Sequence, residues 1–488
     1  MKRSLAMLVV LVIAAMIPVF ADASPIQGLH RYRLDNGLEL FVLENHAVPL
    51  TRVQITFRCG SITQEPETAG LFHLYEHMLF KGNSRYRTET EFSAAMTELG
   101  VAEWNGGTST EYVTYYFTVP SDKTEAGLEF WSYAMREPSF DPAELMVEQA
   151  VVANEINGYL SDPDHIYSAA MDKALFGTYP WRRDIGGNES VVRAATVQNL
   201  RDIQATYYLP NNGALFVGGD VDPESVYAMV QKWYGAWKAG VDPWKTPAKA
   251  HPMPGVTKPV YLAYPDESLP EGIAYIEVRY RGPDVIMEPE PTYAADVWGY
   301  LIQAPSGRFK TNIFDAVPAL YEKDYIGGYY YTQRDGGQVS FYTYAFIDPV
   351  LPLAQRARTA FKDAVVAGEI KAMVTDTAYF SEAAFSIVKQ KMEDEQIINL
   401  ETPEKFIETL SFWWAVASSE YFFEYVPNMK KVEHRDIVAF LEKYVLSNLE
   451  VIAVRLNPAD FGPESASLAA AGFMTVTPET AFWWKGGK

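Results

Sequence analysis

The chain has 488 residues, 48% of them hydrophobic and 14% aromatic, which suffices for large buried cores and excludes a low-complexity or disordered protein. Its formal net charge of −21 argues against nucleic acid or an anionic membrane surface as the main partner. One cysteine, Cys59, excludes an intramolecular disulfide framework.

At the N-terminus, Lys2 and Arg3 precede an apolar run from Leu5 to Phe20. Ala21-Asp22-Ala23 then has the form of a cleavage site. Residues 1–23 read as a signal peptide, with the mature chain starting near Ser24. A retained anchor is the alternative, although the run is short for a span. Export with almost no cysteine fits a bacterial periplasmic location.

Asn36-Gly37 between apolar runs predicts a tight hairpin. Strands are expected at Leu38–Leu43 and Val53–Phe57, with Cys59 as a small residue of that apolar run and not a nucleophile. A polar loop, Gly60–Thr68, leads to a helix over Ala69–Phe80, and a second helix covers Glu89–Leu99. Asn105-Gly106-Gly107-Thr108-Ser109 reads as a flexible turn before a strand, Tyr112–Val119. Helices follow at Thr124–Glu137, Ala143–Leu160 and Val197–Tyr207, then a strand at Gly213–Gly218 and a helix at Pro223–Ala239.

Val241–Lys258 is rich in Pro, Lys and Ala and reads as a connection, with residues 246–258 as the linker proper. Beyond it, strands are expected at Ile273–Tyr280, Gly328–Thr332 and Val339–Ala345. Helices are expected at Pro291–Gln303, Leu353–Ala367, Thr377–Asp394 and Arg435–Tyr444, with a strand at Val451–Arg455 closing the chain. Arg201–Ala205, followed by Tyr207, Asn211 and Val217, is similar to Arg435–Ala439, followed by Tyr444, Asn448 and Val454. Such a long period implies duplicated domains, not a solenoid.

The chemistry concentrates in the first of these helices. His73 and His77 lie four residues apart, one turn on the same face, with Glu76 beside them. Two imidazoles at that spacing suit one tetrahedral metal, and His-x-x-Glu-His is similar to the zinc-peptidase signature called inverzincin. A catalytic site wants a third protein ligand and an open position. The other histidines, His30, His46, His165, His251 and His434, sit in no matching motif. The Ala143–Leu160 helix offers Glu144, Glu148 and Glu155. Glu148 and Glu155 are seven apart, two turns on one face. Val147, Val151 and Val152 suggest that this face is buried, and a buried carboxylate needs a partner such as a metal.

Together these segments resemble the insulinase/pitrilysin family of zinc peptidases, the class that includes mitochondrial processing peptidase. The resemblance implies Glu155, 78 positions after His77, as the third ligand, and Glu148 as its companion, orienting a ligand. Asn105-Gly106-Gly107-Thr108-Ser109-Thr110-Glu111-Tyr112 is similar to the family's Asn-Ala-x-Thr-Ser-x-Asp stretch. That implies substrate contacts from Asn105, Gly106, Gly107 and Thr108, with Gly106 and Glu111 departing from the usual Ala and Asp. Leu34–Leu38, Gly82, Tyr208–Asn212 and Gly218-Gly219-Asp220 match as well.

The implied fold is α+β: two homologous domains, each a mostly antiparallel sheet packed with helices, forming half of a clam-shell chamber. Residues 24–245 would be the zinc-binding peptidase domain, and 259–488 its homologue without the metal motif. The implied activity is a zinc metalloendopeptidase holding one Zn²⁺ per chain, with a zinc-activated water and Glu76 as general base. Family sites also use an arginine and a tyrosine from the opposite half. Aligning Ser306-Gly307-Arg308-Phe309 puts Tyr321 and Gly328 at those positions, with Tyr329 one residue away. The chain is therefore expected to pair with a related chain that supplies Arg and Tyr, as a heterodimer or else a homodimer. It is expected to act on peptides or unfolded segments, not on nucleic acid, and to keep no membrane span after signal cleavage. The alternative is a non-catalytic scaffold or binding subunit.

Overall fold

The computed structural model describes residues 26–485 apart from 306, 349 and 400. The expected signal peptide and Ser306 lie outside the described residues.

Six strands form a first sheet: β1 (Leu29–Arg33), β2 (Glu39–Glu44), β3 (Leu50–Phe57), β4 (Glu103–Thr108), β5 (Val113–Pro120) and β6 (Gly213–Gly219), in the order β1-β2-β6-β3-β5-β4. The second sheet holds β7 (Val260–Pro265), β8 (Ile273–Arg281), β9 (Gly327–Tyr331), β10 (Gln338–Phe346), β11 (Val451–Leu456) and β12 (Met474–Thr475), in the order β12-β7-β11-β8-β10-β9. Both sheets are mixed. In the first, β2 and β6 run parallel; in the second, β11 and β12 both run parallel to β7. The expected hairpin joins β1 to β2, with Gly37 at φ +89°, a conformation that favours glycine. The Asn36 side chain anchors the turn by donating to the Tyr234 and Trp237 carbonyls at 2.8 and 2.9 Å.

The order β2-β6-β3-β5-β4 repeats as β7-β11-β8-β10-β9, so the faint internal similarity reflects two domains of one design. Its matched segments lie on the Val197–Tyr207 and His434–Leu441 helices, which lead into β6 and β11. The edges differ: β1 is antiparallel to its neighbour, whereas β12 is parallel.

The halves are interlocked. The Pro163–Leu175 helix, from the first half, lies on β7 and β11 of the second sheet, where Ile166, Met171 and Leu175 meet Leu262, Tyr264 and Val451. The Pro403–Val416 helix, from the second half, lies on β3 and β6 of the first sheet and buries Phe406, Ile407, Leu410 and Trp414 against Phe41 and Phe216. Each such side chain contributes about 1.5–3 kcal/mol, so neither sheet completes a core face without the other half. A buried polar contact adds specificity: the Tyr167 hydroxyl donates to Glu277 at 2.7 Å. Between the halves, residues 246–258 are mostly irregular and exposed, but His251 is buried and its backbone N–H donates to Asp335.

Several expectations are corrected. Asn105–Thr108 is no flexible turn: it belongs to β4, an edge strand, with Asn105 opposite Tyr116 and Thr108 opposite Val113. An edge strand pairs on one side only, so it tolerates two glycines. Val451–Arg455 does not close the chain. After β11 come a helix at Pro458–Ala470, then β12, then a short helix at Pro478–Ala481. Val147 and Val151 are exposed, so burial on the Pro142–Tyr159 helix is confined to a narrower face containing Leu145, Glu148, Val152 and Ile156. No described helix is long and apolar enough to cross a membrane.

Candidate metal centre

The motif helix runs from Leu71 to Leu79. Gly70 precedes it at φ +96°, and its N–H donates to the Gln64 side chain at 2.7 Å, so the entry is held without a capping hydroxyl. Leu71, Phe72, Leu74, Tyr75, Met78 and Leu79 are buried in the first core. That burial fixes the rotation of the helix and leaves His73, Glu76 and His77 on the remaining face.

Opposite lies the Pro142–Tyr159 helix. Asp141 caps it by accepting from the Ala143 N–H at 2.7 Å, and Pro142 occupies its first turn. Its Glu155 faces both imidazoles: one carboxylate oxygen is 3.5 Å from His73 Nε2 and 3.7 Å from His77 Nε2, and the two Nε2 atoms are 3.3 Å apart. Tetrahedral bonds of about 2.0–2.2 Å place ligand atoms about 3.3–3.6 Å from one another, so the three donors fit one zinc-sized ion. His73, His77 and Glu155 are the one such cluster among the described residues.

Glu148, two turns before Glu155, is buried and plays a different part. It accepts from His77 Nδ1 at 2.9 Å, which turns Nε2 toward the cluster, while Lys81 Nζ lies 3.0 Å from its other oxygen. The hydrogen bond from His77, then Lys81, holds its carboxyl below the ordinary value. By contrast, His73 Nδ1 is buried with no hydrogen-bond partner among the described residues. Burial and the neighbouring His77 push His73 down to about 4, which keeps its imidazole neutral and free to donate a lone pair. For His77 burial acts downward, but the Glu148 bond and the Glu155 and Glu76 charges outweigh it.

Glu76 lies on the same helix face and accepts from the Thr108 hydroxyl at 2.7 Å. Burial raises its carboxyl above the usual range, and Thr108 and His77 only partly offset this. A cavity of about 420 Å³ opens onto His73, Glu76, Gly107 and Thr108. Asn105 and Gly106 do not line it. Asn105 is exposed and accepts from the Gly106 N–H, and a side chain on Gly106 would meet Phe80 and Tyr115. Tyr321, Gly328 and Tyr329 also lie off this cavity. Sequence reasoning missed three of its walls: Tyr159 and His165, the loop at Arg183–Gly186, and the distant Ala481–Trp483. The adjacent Trp483-Trp484 pair was the one sequence signal that could have drawn attention to the last.

The fold and this donor set define a two-domain α+β protein with one His/His/Glu cluster, among the described residues, that could hold a metal ion, in its first half. Residues 40–187 match the model of the insulinase family, peptidase family M16, and residues 194–321 match that of the peptidase M16 inactive domain. The chain belongs to the M16 family.

An uncharacterized zinc protease of Bacillus subtilis, YmxG, is 29% identical over 211 residues, covering 43% of this chain and 51% of that protein. A probable mitochondrial-processing peptidase subunit beta of Arabidopsis thaliana is 25% identical, covering 54% of this chain and 50% of that one. The chain thus spans about half the length of the curated relatives it matches. Among solved structures, a protease from Helicobacter pylori superposes with TM-score 0.72 at 16% identity, covering 88% of this chain and 99% of that one. The first half of the periplasmic protease PqqL of Escherichia coli superposes with TM-score 0.70 at 17% identity, covering 92% and 97%. These likenesses at low identity establish the shared fold.

Proposed function

We propose that the chain is an exported zinc metallopeptidase that hydrolyses peptides or unfolded segments, with residues 24–245 as its peptidase domain, 246–258 as linker and 259–488 as a homologous domain without the metal motif. The observation that carries this reading is the His73/His77/Glu155 cluster at tetrahedral spacing, with Glu76 on the same helix face. Relatives named zinc proteases support it. His73, His77 and Glu155 would hold one Zn²⁺ per chain. When bound, zinc supplies a Lewis acid that polarises a carbonyl and acidifies water.

The remaining steps belong to the chain itself. Glu76 takes a proton from the attacking water and returns it to the leaving amine. Its raised affinity for protons suits both transfers, and Thr108 fixes the orientation of its carboxylate. Glu148 orients His77 and keeps its Nδ1 occupied. Gly107 and Thr108 border the substrate space from the β4 edge, with Asn105 and Gly106 further along that strand, where an extended peptide can add by backbone hydrogen bonds. Tyr321, Gly328 and Tyr329, the positions aligned with the family's Arg and Tyr, lie off this cavity; the scissile carbonyl would receive its remaining donors from a related chain closing a clam-shell chamber, as a heterodimer or a homodimer. A periplasmic setting agrees with the leader sequence and with the description of the E. coli neighbour.

A second reading, a non-catalytic subunit, draws on the match of residues 194–321 to a domain described as inactive. Zinc content and cleavage of quenched peptides, with and without a co-expressed related chain, separate the two. Glu76→Gln should keep zinc and lose hydrolysis by roughly 10²–10⁴-fold, whereas His73→Ala should lose both. Full activity in Glu76→Gln would overturn the base assignment. Zinc without hydrolysis, in any pairing, would favour the second reading.

A further inference from the structure

The cavity beside the metal centre is closed by the far end of the chain. Ala481, Phe482 and Trp483 form one wall of the same space that His73 and Glu76 border, although more than 400 positions separate them in sequence. The segment packs on the Pro163–Leu175 helix, with Ala481 and Phe482 buried and Trp483 against Trp181. Val476 N–H donates to Ala263 where the chain leaves the second sheet, and Lys173 donates to the Thr480 carbonyl at 2.8 Å.

Asp184 adds a polar latch. One of its oxygens accepts from both Trp483 Nε1 and Trp484 Nε1, at 2.9 and 3.1 Å, and the other accepts from the Gly187 N–H. Gly187 packs directly on Ala69 and Gly70, where the motif helix begins, and any side chain there would collide with that backbone. One carboxylate therefore ties the C-terminal wall to the loop that supports the metal-binding helix.

The charged side chains around this space already have partners. Lys173 is bound to Thr480, Asp184 to the indoles, and Arg183 to Gln333 and Asp172. Most of the surface left for a ligand is that of Tyr159, Ala169, Pro180, Ile185, Phe482 and Trp483, with His165 and Ser168 as its polar part. Such a lining admits an apolar side chain and rejects a charged one.

We propose that the C-terminal segment Pro478–Trp484, latched by Asp184, is the wall that sets the size of the peptide side chain admitted beside the metal centre, with Phe482 and Trp483 as specificity-determining residues. This rests on the peptidase reading. Asp184 acts through the tryptophans and is a positioning residue.

The test uses the zinc-loaded full chain and measures peptide binding separately from hydrolysis. Fluorescent peptides carrying Ala, Leu, Phe or Trp at one position are titrated into the unaltered chain, Trp483→Ala, Trp483→Phe, Asp184→Ala and a chain ending at Thr477. Ratios of affinities within one preparation are compared, because a fraction of misfolded protein leaves such ratios unchanged. The unaltered chain should favour Leu and Phe over Ala and Trp. Trp483→Ala should move the optimum to Trp, changing the Trp-to-Leu ratio by roughly ten-fold. Trp483→Phe should keep the original order. Asp184→Ala and the shortened chain should shift in the same direction as Trp483→Ala.

An order of preference identical in the unaltered chain and Trp483→Ala, or no preference in the unaltered chain, overturns the proposal. Preferences that shift with Trp483 in a protein that hydrolyses none of these peptides, alone or co-expressed with a related chain, would sink the peptidase reading and leave the wall standing. Hydrolysis with an unshifted preference would do the reverse.

Discussion

The two domains share five strands in one order, yet among the described residues only the first gathers His73, His77 and Glu155 as candidate metal ligands. The difference lies in the helix after the third strand of each repeat. After β3 comes Leu71–Leu79, with one face buried and the other presenting His73, Glu76 and His77 to the Pro142–Tyr159 helix. After β8 comes Pro289–Ile302, which packs on Glu382–Asn399 in the corresponding way. It buries Tyr293, Ala294, Val297, Trp298 and Leu301 and carries no histidine. A shared scaffold thus supports either a site or a plain core, and the chemistry resides in a few side chains on one turn. Where the first helix gives up apolar contact to hold imidazoles, the second keeps it.

The contrast can be broken from either side. The largest effect is expected from His77→Ala, which should abolish stoichiometric zinc binding, measured by metal analysis after dialysis, while the second domain stays folded. Trp298→Ala on the counterpart helix should destabilise the protein by about 3–5 kcal/mol, measured by urea unfolding. Its folded fraction should still bind zinc normally; a loss of zinc affinity there would show that the second core supports the site directly. Glu148→Gln should weaken zinc affinity by roughly 10–100-fold, measured by chelator competition. An unchanged affinity would reduce Glu148 to a structural residue.

Glu111 tests the seam between the halves. It is buried, accepts from the Asp335 N–H at 3.2 Å, and has its other oxygen without a hydrogen-bond partner among the described residues. Burial pushes its carboxyl from 4.5 up to about 7, although the Arg334 and Asp335 backbone N–H groups act against this. The folded chain therefore holds this proton more tightly than the unfolded chain. The resulting stabilisation is complete below about pH 4 and is lost as pH rises through about 7. Glu111→Gln should remove that slope, gaining on the order of 2 kcal/mol relative to the unaltered chain between pH 5 and pH 8. Parallel stability profiles would refute it. The smallest effect is expected from Arg435→Ala, an exposed side chain beside Glu433 and Asp436, at less than about 0.5 kcal/mol in the same unfolding assay.

Legibility followed the range of the interactions involved. His73, Glu76 and His77 could be read because helical periodicity alone puts them on one face. The strands β2, β3, β5 and β6 and the Val197–Tyr207 helix could be read from their alternation, apolar runs and helical period. Glu148 and Glu155 could be placed on one helix face by their spacing, but spacing could not tell which carboxylate points at which nitrogen of His77. The Asn105–Thr108 stretch, rich in glycine and polar residues, has the composition of a turn; pairing with β5 makes it a strand, and pairing is not a local property. The Pro163–Leu175 and Pro403–Val416 helices escaped notice because each is stabilised by the sheet of the other half.

By itself, then, the sequence placed His73, Glu76 and His77 together on one helix face, because that arrangement is encoded within a few residues of chain. Only the tertiary structure decided that Thr108 holds Glu76, that Glu148 holds His77, and that Phe482 and Trp483 border the cavity. Those contacts join positions tens to hundreds of residues apart, and no local propensity records which distant surfaces burial will bring together.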